Sequence, residues 1–301
     1  MLSIPYIWTA DNLRLQGIHY EPTQKETGIV FIHGMSGNSI ENQFAHIVGE
    51  VLSDKGTGFI YAHNRGYNHI NDIPTHELAP DGGYKSVRIG AMYERFSECV
   101  YDIQAWIDFA ADRGYKKLIL MGHSLGGPKV IYYLHRNKVN NLSGVILCSP
   151  GDMVGLVKKP EYQKNYDRLL SEARQNVENG NPGTLLSSKI WDWYTLSSQT
   201  FVDLFTENGP ADNLPLLRNP ERFTELESIR VPILETVGEH DDIVIRSLEE
   251  DMAMTKSKAV NCSSLTAKII PGANHVYEGK GKELSAVINE WLKSLKEHNL
   301  S

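Results

Sequence analysis

Short apolar runs alternate with amphipathic helical patterns along the first half of the chain. Four runs rich in β-branched and aromatic residues indicate buried strands, at residues 28–33, 57–63, 117–121 and 143–148. Apolar residues three and four positions apart predict helices between these runs, over residues 42–52, 93–111 and 125–135. Strands separated by helices need crossover connections. The alternation therefore predicts an α/β fold with a mostly parallel central sheet and helices on both faces.

The pattern differs at the two ends of the chain. Residues 4–9 and 13–20 have no helix between them, and they predict an antiparallel pair at the edge of the sheet. Further along, residues 231–237 and 265–270 predict two more buried strands, and residues 282–295 predict a closing amphipathic helix. The predicted sheet therefore draws on both halves of the chain.

A long interruption separates the two sets of strands. Between residues 151 and 229 no apolar run indicates a buried strand, and helices are predicted over residues 160–178 and 198–206. Because connections longer than about 15 residues are uncommon in compact domains, we interpret this segment as an inserted helical cap. The expected organisation is a core domain of residues 1–150 and 230–301 with a cap of residues 151–229.

Composition limits the binding partners and the cellular compartment that can be expected for this protein. The 301 residues are 41% hydrophobic and 22% charged, which is typical of a soluble globular protein, and the net charge of -7 gives no reason to expect nucleic acid or an anionic membrane. No apolar run is long enough for a membrane span, and residues 1–10 do not resemble a signal peptide. Cys99, Cys148 and Cys262 lack metal-binding spacing, so we expect free thiols in a cytoplasmic protein. Oligomeric state is left open.

Candidate chemistry begins with the motif GHSLGG at residues 122–127. It lies between a predicted strand and a predicted helix, the setting in which G-x-S-x-G forms a sharp strand-to-helix turn. Glycines leave room for such a turn, and Ser124 is expected to project above the carboxyl edge of the sheet as a nucleophile. The alternative is an ordinary glycine-rich turn in which Ser124 has no chemical role.

A second glycine-rich loop, HGMSGN at residues 33–38, follows the first predicted parallel strand. Glycines there let a backbone amide approach a substrate closely. We expect the amides of Met35 and Leu125 to stabilise a developing oxyanion, and His33 to shape the loop by hydrogen bonding. The two loops together predict an oxyanion hole beside Ser124.

A serine hydroxyl needs a base, and the base needs an acid that orients it. His275 lies in PGANH after the strand at residues 265–270, and Asp241 lies in GEHDDIV after the strand at residues 231–237. Both loops are expected at the sheet edge that carries Ser124, and the chain order Ser, Asp, His is the order expected for a G-x-S-x-G turn in this kind of sheet. Asp242 and Asp152 are competing acids. The other histidines are expected in turns or at the surface, among them His63, His123 and His240.

The motifs HGMSGN, GHSLGG, GEHDDIV and PGANH, in that order, resemble those of the α/β-hydrolase superfamily. The resemblance covers nearly the whole chain outside the cap and implies a serine hydrolase of that fold. Segments at residues 64–66, 98–102 and 129–133 are similar, more narrowly, to the fungal siderophore (fusarinine) esterase branch and its bacterial relatives. That similarity implies hydrolysis of an ester in a hydroxamate-type or other natural product.

The cap has an apolar and aromatic component. Most of its aromatic side chains are expected to pack onto the core domain. Met153, Trp191 and Trp193 are the candidates for substrate contact at the wall of the pocket.

These features predict an enzyme that cleaves a carboxylic ester of a small molecule or natural product through an acyl-enzyme intermediate. The same groups could cleave an amide, a thioester or a carbon–carbon bond, or transfer an acyl group, because the substrate and not the triad decides the reaction. A non-catalytic ligand-binding protein of the same fold is the alternative from another class. No metal and no cofactor is implied.

Overall fold

The computed structural model describes residues 1–298, with side chains through Leu295. The strands are β1 (Leu2–Ser3), β2 (Tyr6–Trp8), β3 (Arg14–Tyr20), β4 (Thr27–Ile32), β5 (Thr57–Ala62), β6 (Asp72–Leu78), β7 (Tyr84–Arg88), β8 (Lys117–His123), β9 (Leu142–Cys148), β10 (Ile233–His240) and β11 (Leu265–Asn274). The helices are α1 (Gln43–Asp54), α2 (Cys99–Asp112), α3 (Gly126–Arg136), α4 (Met153–Val157), α5 (Pro160–Glu178), α6 (Ser198–Phe205), α7 (Leu248–Lys258) and α8 (Gly281–His298). None of these helices is long and apolar enough to cross a bilayer.

The central sheet has the strand order β1-β3-β5-β4-β8-β9-β10-β11, with β2 paired to β3. The strands from β5 to β11 in this order are parallel, whereas β1, β2 and β3 form the antiparallel edge. The prediction of a mostly parallel α/β sheet is therefore confirmed, and so is the antiparallel pair at its edge.

The register of the parallel strands aligns their carboxyl ends. Ile32 of β4 lies opposite Gly122 of β8, and His123 of β8 lies opposite Cys148 of β9. In parallel sheets of this kind, the loops after the strands converge at one edge, where ligands bind. The loops after β4, β8, β10 and β11 thus meet at the same edge.

Helices cover both faces of the sheet. The buried residues of β4 alternate between the two faces: Ile29 and Phe31 pack with α1 and α8, while Val30 and Ile32 pack with α2 and α3. A strand buried on both faces needs apolar residues at consecutive positions, which is the pattern that predicted β4 from its sequence.

The chain between β9 and β10 forms α4, α5 and α6. In the described structure this segment contains isolated bridges but no strand. Its apolar side chains, such as Leu169 of α5 and Phe201 of α6, belong to the same core cluster as the strands and helices of the sheet. The segment therefore packs directly onto the core, and the domain division at residues 150 and 230 stays a prediction.

Several elements differ from the sequence prediction. The hairpin of β6 and β7 and the helices α4 and α7 were not predicted. Helix α2 begins at Cys99, later than predicted, because the preceding residues form a turn and the 3₁₀ segment Phe96–Glu98. Strands β8 and β11 continue further than predicted and end at His123 and Asn274. Two candidate site residues, Ser124 and His275, consequently follow a strand end directly.

Candidate active site

Ser124 occupies a tight turn between β8 and α3. Its φ is +53°, in the left-handed region that residues with a side chain rarely adopt. Two glycines make this turn possible, since a Cβ on Gly122 would lie 2.3 Å from the Gly126 carbonyl oxygen, and one on Gly126 would lie 2.1 Å from that of Ile32. Such a strained turn at a strand end exposes the serine side chain at the edge of the sheet.

Asp241 and His275 directly follow two neighbouring strands. Asp241 comes after β10 and His275 after β11, and the last residues of these strands, His240 and Asn274, are register partners. The His275 Nδ1 lies 3.1 Å from Asp241 Oδ1 and 3.3 Å from Oδ2. When the carboxyl group is ionised it can only accept, so Nδ1 donates and Nε2 is left as the basic nitrogen of the neutral ring.

The surroundings of Asp241 favour its ionised form. Burial by itself would raise the pKa of this carboxyl group, but hydrogen bonds from His275 and Ser149, the charge of His275 and the Ile243 amide at 3.1 Å outweigh that effect. The pKa of Asp241 is consequently below its ordinary value. An ionised carboxylate is what an imidazole base needs as an orienting partner.

A cavity of about 660 Å³ opens at this edge of the sheet. Ser124, His275, Met35 and Leu125 line it, while Asp241 is buried behind His275. Within residues 1–298 no hydrogen bond joins Ser124 to His275, and such bonds commonly tighten only when substrate binds. The volume lies within the range of small-molecule sites, roughly 300–1,000 Å³.

The loop after β4 packs directly against Ser124. A Cβ on Gly34 would lie 2.8 Å from the Ser124 Cβ, so only glycine permits this approach. Met35 follows Gly34, and Leu125 is the N-cap residue of α3, where the helix presents unpaired amides and a partial positive charge. Both residues predicted to supply oxyanion donors thus lie beside the candidate nucleophile.

A series of buried hydrogen bonds holds this loop in place. His33 Nε2 accepts from the Asn64 amide at 3.1 Å, so its Nδ1 donates to the Gly34 carbonyl oxygen at 2.8 Å. The Asn64 side-chain oxygen accepts from Lys129 Nζ at 3.0 Å, and Lys129 is paired with Glu94 at 2.5 Å. Burial lowers the pKa of His33 well below its ordinary value and keeps the ring neutral. His33 therefore shapes the loop by hydrogen bonding.

The segments with the narrower family similarity contribute buried ion pairs. Arg65 is 1% exposed, and it binds Asp102 at 2.8 Å and Glu98 at 2.5 Å. Lys129 comes from the third of these segments. Buried charges of this kind are tolerated only when they are paired. None of the cavity-lining residues in the described structure belongs to these segments, so they form the scaffold of the site.

Neither competing acid is hydrogen bonded to His275 in the described part of the chain. Asp152 is the N-cap of α4, and it accepts from the amides of Gly155 at 2.7 Å and Leu217 at 2.8 Å. Burial raises the pKa of Asp152 to about 6, although these amides favour its charged form. Asp242 is exposed and lines the cavity. Of the three carboxylates, Asp241 is the one that contacts His275.

Asp241, Asp242 and His275 also form a group that could hold a metal ion. Each offers one ligand atom, and these atoms lie within 4.8 Å of one another. Because Asp241 and His275 are already hydrogen bonded to each other, a cation would compete with that bond. The hydrogen bond between Asp241 and His275 accounts for their proximity, and we assign no metal to the group.

The three cap residues proposed for the pocket wall all line the cavity. Met153 is buried, and Trp191 packs edge-on against Phe205 with ring centroids 5.3 Å apart. Trp193 is 70% exposed, so it does not pack on the core domain as most cap aromatics were expected to do. An indole left uncovered beside a cavity is available to a ligand.

Tyr194, one of the aromatic residues of the predicted cap, connects that segment to the loop after β4. Its hydroxyl lies 3.0 Å from the Ser36 hydroxyl, and its ring packs against His69 with centroids 5.1 Å apart. Ser36 directly follows Met35. The cap is therefore bonded to the loop that carries one predicted oxyanion donor.

The expectation that His123 is a turn or surface residue is wrong. His123 ends β8 and is 3% exposed. Its Nε2 lies 2.8 Å from the main-chain carbonyl oxygen of His275. A polar side chain in the middle of a G-x-S-x-G motif gives no local signal of burial, because its environment is set by a loop distant in sequence.

Glu235 of β10 lies near Asp241 and is 2% exposed. Both residues, together with Ser149 and Asp251, line a second cavity of about 20 Å³, which is large enough for one water molecule. The Glu235 Oε2 has no hydrogen-bond partner among the described residues. Burial raises the pKa of Glu235 to about 8, with a smaller contribution from the charge of Asp251. Glu235 is therefore protonated at neutral pH.

This buried carboxyl group predicts a pH-dependent stability. A glutamate in the unfolded chain loses its proton near pH 4.3, whereas folded Glu235 keeps it up to pH about 8. Between these values the folded state binds more protons, so Glu235 should lower the free energy of unfolding by roughly 1.4 kcal/mol per pH unit as pH rises. In urea titrations at several pH values, Glu235→Gln should flatten this decline. The exposed Glu290→Gln control should follow the wild type, and identical slopes for all three proteins would contradict the prediction.

The parallel sheet, the turn at Ser124 and the helical segment after β9 together define the α/β-hydrolase fold. The chain belongs to the family described as "Protein of unknown function (DUF1749)", which matches residues 85–296. No curated protein is significantly similar to it in sequence.

Solved structures of this fold cover nearly the whole chain. Est1E from Butyrivibrio proteoclasticus with bound ferulic acid is 18% identical, with a TM-score of 0.63 over 97% of this chain and 99% of its own. The α/β hydrolase GrgF from Penicillium sp. sh18 is 13% identical, with a TM-score of 0.65 over 99% of both chains. The Pyrococcus furiosus esterase Pf2001 is 17% identical, with a TM-score of 0.57 over 98% of this chain and 91% of its own. At these identities the similarity establishes the fold alone.

Proposed function

We propose that this protein is a serine hydrolase that cleaves a carboxylic ester of a small molecule through an acyl-enzyme intermediate. One observation carries the proposal: Ser124 shares a cavity with His275, whose ring is hydrogen bonded from behind to Asp241. A serine hydroxyl needs this combination of base and orienting acid to attack at neutral pH. The presence of an esterase among the structural neighbours is consistent with it.

The proposed reaction has two halves. His275 Nε2 takes the hydroxyl proton as the Ser124 Oγ attacks the ester carbonyl carbon, and the proton passes to the alcohol when the carbon–oxygen bond breaks. His275 then removes a proton from a water molecule that attacks the acyl-serine, and it returns this proton to the Ser124 Oγ as the bond between that oxygen and the acyl carbon breaks. This step releases the acid and regenerates Ser124. Asp241 keeps the proton of the neutral ring on Nδ1 and stabilises the imidazolium formed in each half.

We assign the oxyanion hole to the main-chain amides of Met35 and Leu125. Support comes from the close packing of Gly34 on Ser124 and from the position of Leu125 at the N-terminus of α3. Each donor aimed at the developing oxyanion would lower the barrier by roughly 3–4 kcal/mol.

The residues of the predicted cap that line the cavity indicate the size and polarity of the substrate. Met153, Trp191 and Trp193 give the cavity wall an apolar and aromatic part, although Lys159 and Glu161 also line it. A cavity of about 660 Å³ is far larger than an acetyl ester requires. We therefore propose that the substrate has a bulky apolar or aromatic part that contacts these residues. An ester within a natural product, as implied by the narrower family similarity, fits this description.

The proposed mechanism uses side chains, main-chain amides and water, so it includes no metal and no cofactor. The proposed partner is a small-molecule substrate, without nucleic acid or membrane. Cys99, Cys148 and Cys262 are unpaired thiols, which supports the proposed cytoplasmic setting.

Hydrolysis of p-nitrophenyl esters tests the proposal. Purified protein should release p-nitrophenolate, with kcat/KM rising from acetyl to aromatic acyl groups, and the activity should survive EDTA. The p-nitroanilides of the same acids should react far more slowly. Faster cleavage of anilides or thioesters would reassign the reaction. An absence of turnover with saturable quenching of tryptophan fluorescence would indicate a binding protein and overturn the proposal.

A further inference from the structure

His123 lies directly beneath His275 and has no part in the mechanism above. Its ring centroid is 5.0 Å from that of His275 and 5.0 Å from that of Phe44, with Tyr277 at 6.1 Å. His123 is the last residue of β8 and immediately precedes Ser124. A buried polar ring at such a position must have a hydrogen-bond partner, because leaving it unpaired is costly.

The hydrogen bond of His123 defines its protonation state. A carbonyl oxygen can only accept, so the contact of 2.8 Å to the His275 carbonyl oxygen requires a hydrogen on His123 Nε2. Burial, with a smaller electrostatic contribution from His275, lowers the pKa of His123 to about 3, although the hydrogen bond to the His275 carbonyl group and the charge of Asp241 partly oppose this shift. His123 is therefore a neutral donor at physiological pH and places no positive charge beside the base.

His275 is thus held at two points by two different strands. Asp241, at the end of β10, binds the ring at Nδ1, and His123, at the end of β8, binds the main chain. The next residue, Val276, is 43% exposed and gives the loop little packing. A shift of the main chain would move His275 Nε2 relative to Ser124, and misplacement of reacting groups by about 1 Å can cost a hundredfold in rate.

We infer that His123 is a positioning residue, which sets the distance from the His275 Nε2 to the Ser124 hydroxyl by anchoring the His275 carbonyl group. The dipeptide of residues 123 and 124 then carries both the nucleophile and the anchor of its base, so the two move together. The inference rests on the proposed function.

His123→Phe tests this role, because it keeps a ring in the buried space and removes the donor. We expect kcat on a p-nitrophenyl ester to fall about 10- to 100-fold with KM nearly unchanged, and labelling of Ser124 by a fluorophosphonate to slow in parallel. His123→Gln can place a side-chain N–H at the same carbonyl oxygen and should recover most of the loss. If His123→Phe does not fold, His123→Met serves as the apolar variant.

The matched control is His19→Phe. His19 of β3 is also fully buried, and its Nε2 lies 2.7 Å from the Tyr115 hydroxyl, away from the site. It should keep wild-type kcat even if the melting temperature falls. Wild-type kcat in the apolar His123 variants would overturn the inference, and so would a loss of kcat in His123→Gln or in His19→Phe as large as that in His123→Phe. A wild-type protein that neither hydrolyses esters nor becomes labelled would instead overturn the proposed function beneath it.

Discussion

Ser124→Ala is expected to lower kcat for ester hydrolysis by about a million-fold, to the residual level that binding and oxyanion contacts alone provide. The reason is that alanine removes the atom that would form the acyl-enzyme. It keeps the Cβ that packs against Gly34 and the same main-chain strain at a φ of +53°. The turn should therefore persist, with a melting temperature close to that of the wild type.

Steady-state kinetics and mass spectrometry of fluorophosphonate-treated protein measure this effect. The wild type should gain one adduct on the peptide that contains Ser124, and Ser124→Ala should gain none. Ser143→Ala is the control, because Ser143 lies near the start of β9, at the edge of the sheet opposite the cavity; it should keep full activity and labelling. Undiminished labelling of Ser124→Ala would contradict the assignment of Ser124 as the nucleophile.

The elements that could be predicted from sequence are those in which the local pattern of apolar residues indicates which positions are buried. Strands β4 and β5 are buried at every position, so their sequences are short apolar runs of the kind that is typical of a buried strand. Helix α5 begins at Pro160, and Gly180 with a φ of +77° follows its end, which places both boundaries where the sequence predicted them.

The missed elements lack such a local pattern. Every residue of β7 is exposed, so the hairpin with β6 shows no alternation of apolar and polar positions. Helix α7 buries only Asp251, Met252 and Thr255, two of which are polar, and therefore has almost no apolar face. Tertiary contacts stabilise both elements, and such contacts leave no periodic pattern of apolar residues in the sequence.

The same distinction applies to the candidate site. Ser124, Asp241 and His275 could be named because each follows a strand in a motif of short range. The contact of His123 with His275 spans 152 positions, and that of Ser36 with Tyr194 spans 158. Those pairings depend on how segments that are distant along the chain pack together at the carboxyl edge of the sheet. They could be recognised only after the fold was known.

Asp241→Asn is expected to lower kcat about ten-thousand-fold, with little change in KM. An asparagine can turn its amide group to donate a hydrogen bond to the His275 Nδ1, which leaves the ring proton on Nε2. In that tautomer the Nε2 of His275, which faces the cavity, has no free lone pair with which to take the proton of Ser124. Because the asparagine is nearly the same size, the Asp241 site should remain folded, and the loss should lie in kcat.

Asp152→Asn is the matched comparison, since it makes the same change in a second buried carboxylate that the sequence left as an alternative. Asp152 accepts from two amides, at Gly155 and Leu217. An asparagine can still cap α4, but its single oxygen leaves one of these two main-chain N–H groups without an acceptor. The replacement should therefore cost about 1 kcal/mol of stability and leave kcat within a few fold of the wild type. Kinetics on one p-nitrophenyl ester and thermal melts of both variants separate these effects. A collapse of kcat in Asp152→Asn, with an active Asp241→Asn, would mean that His275 takes its orienting acid from the loop after β9, despite the hydrogen bond of 3.1 Å to Asp241.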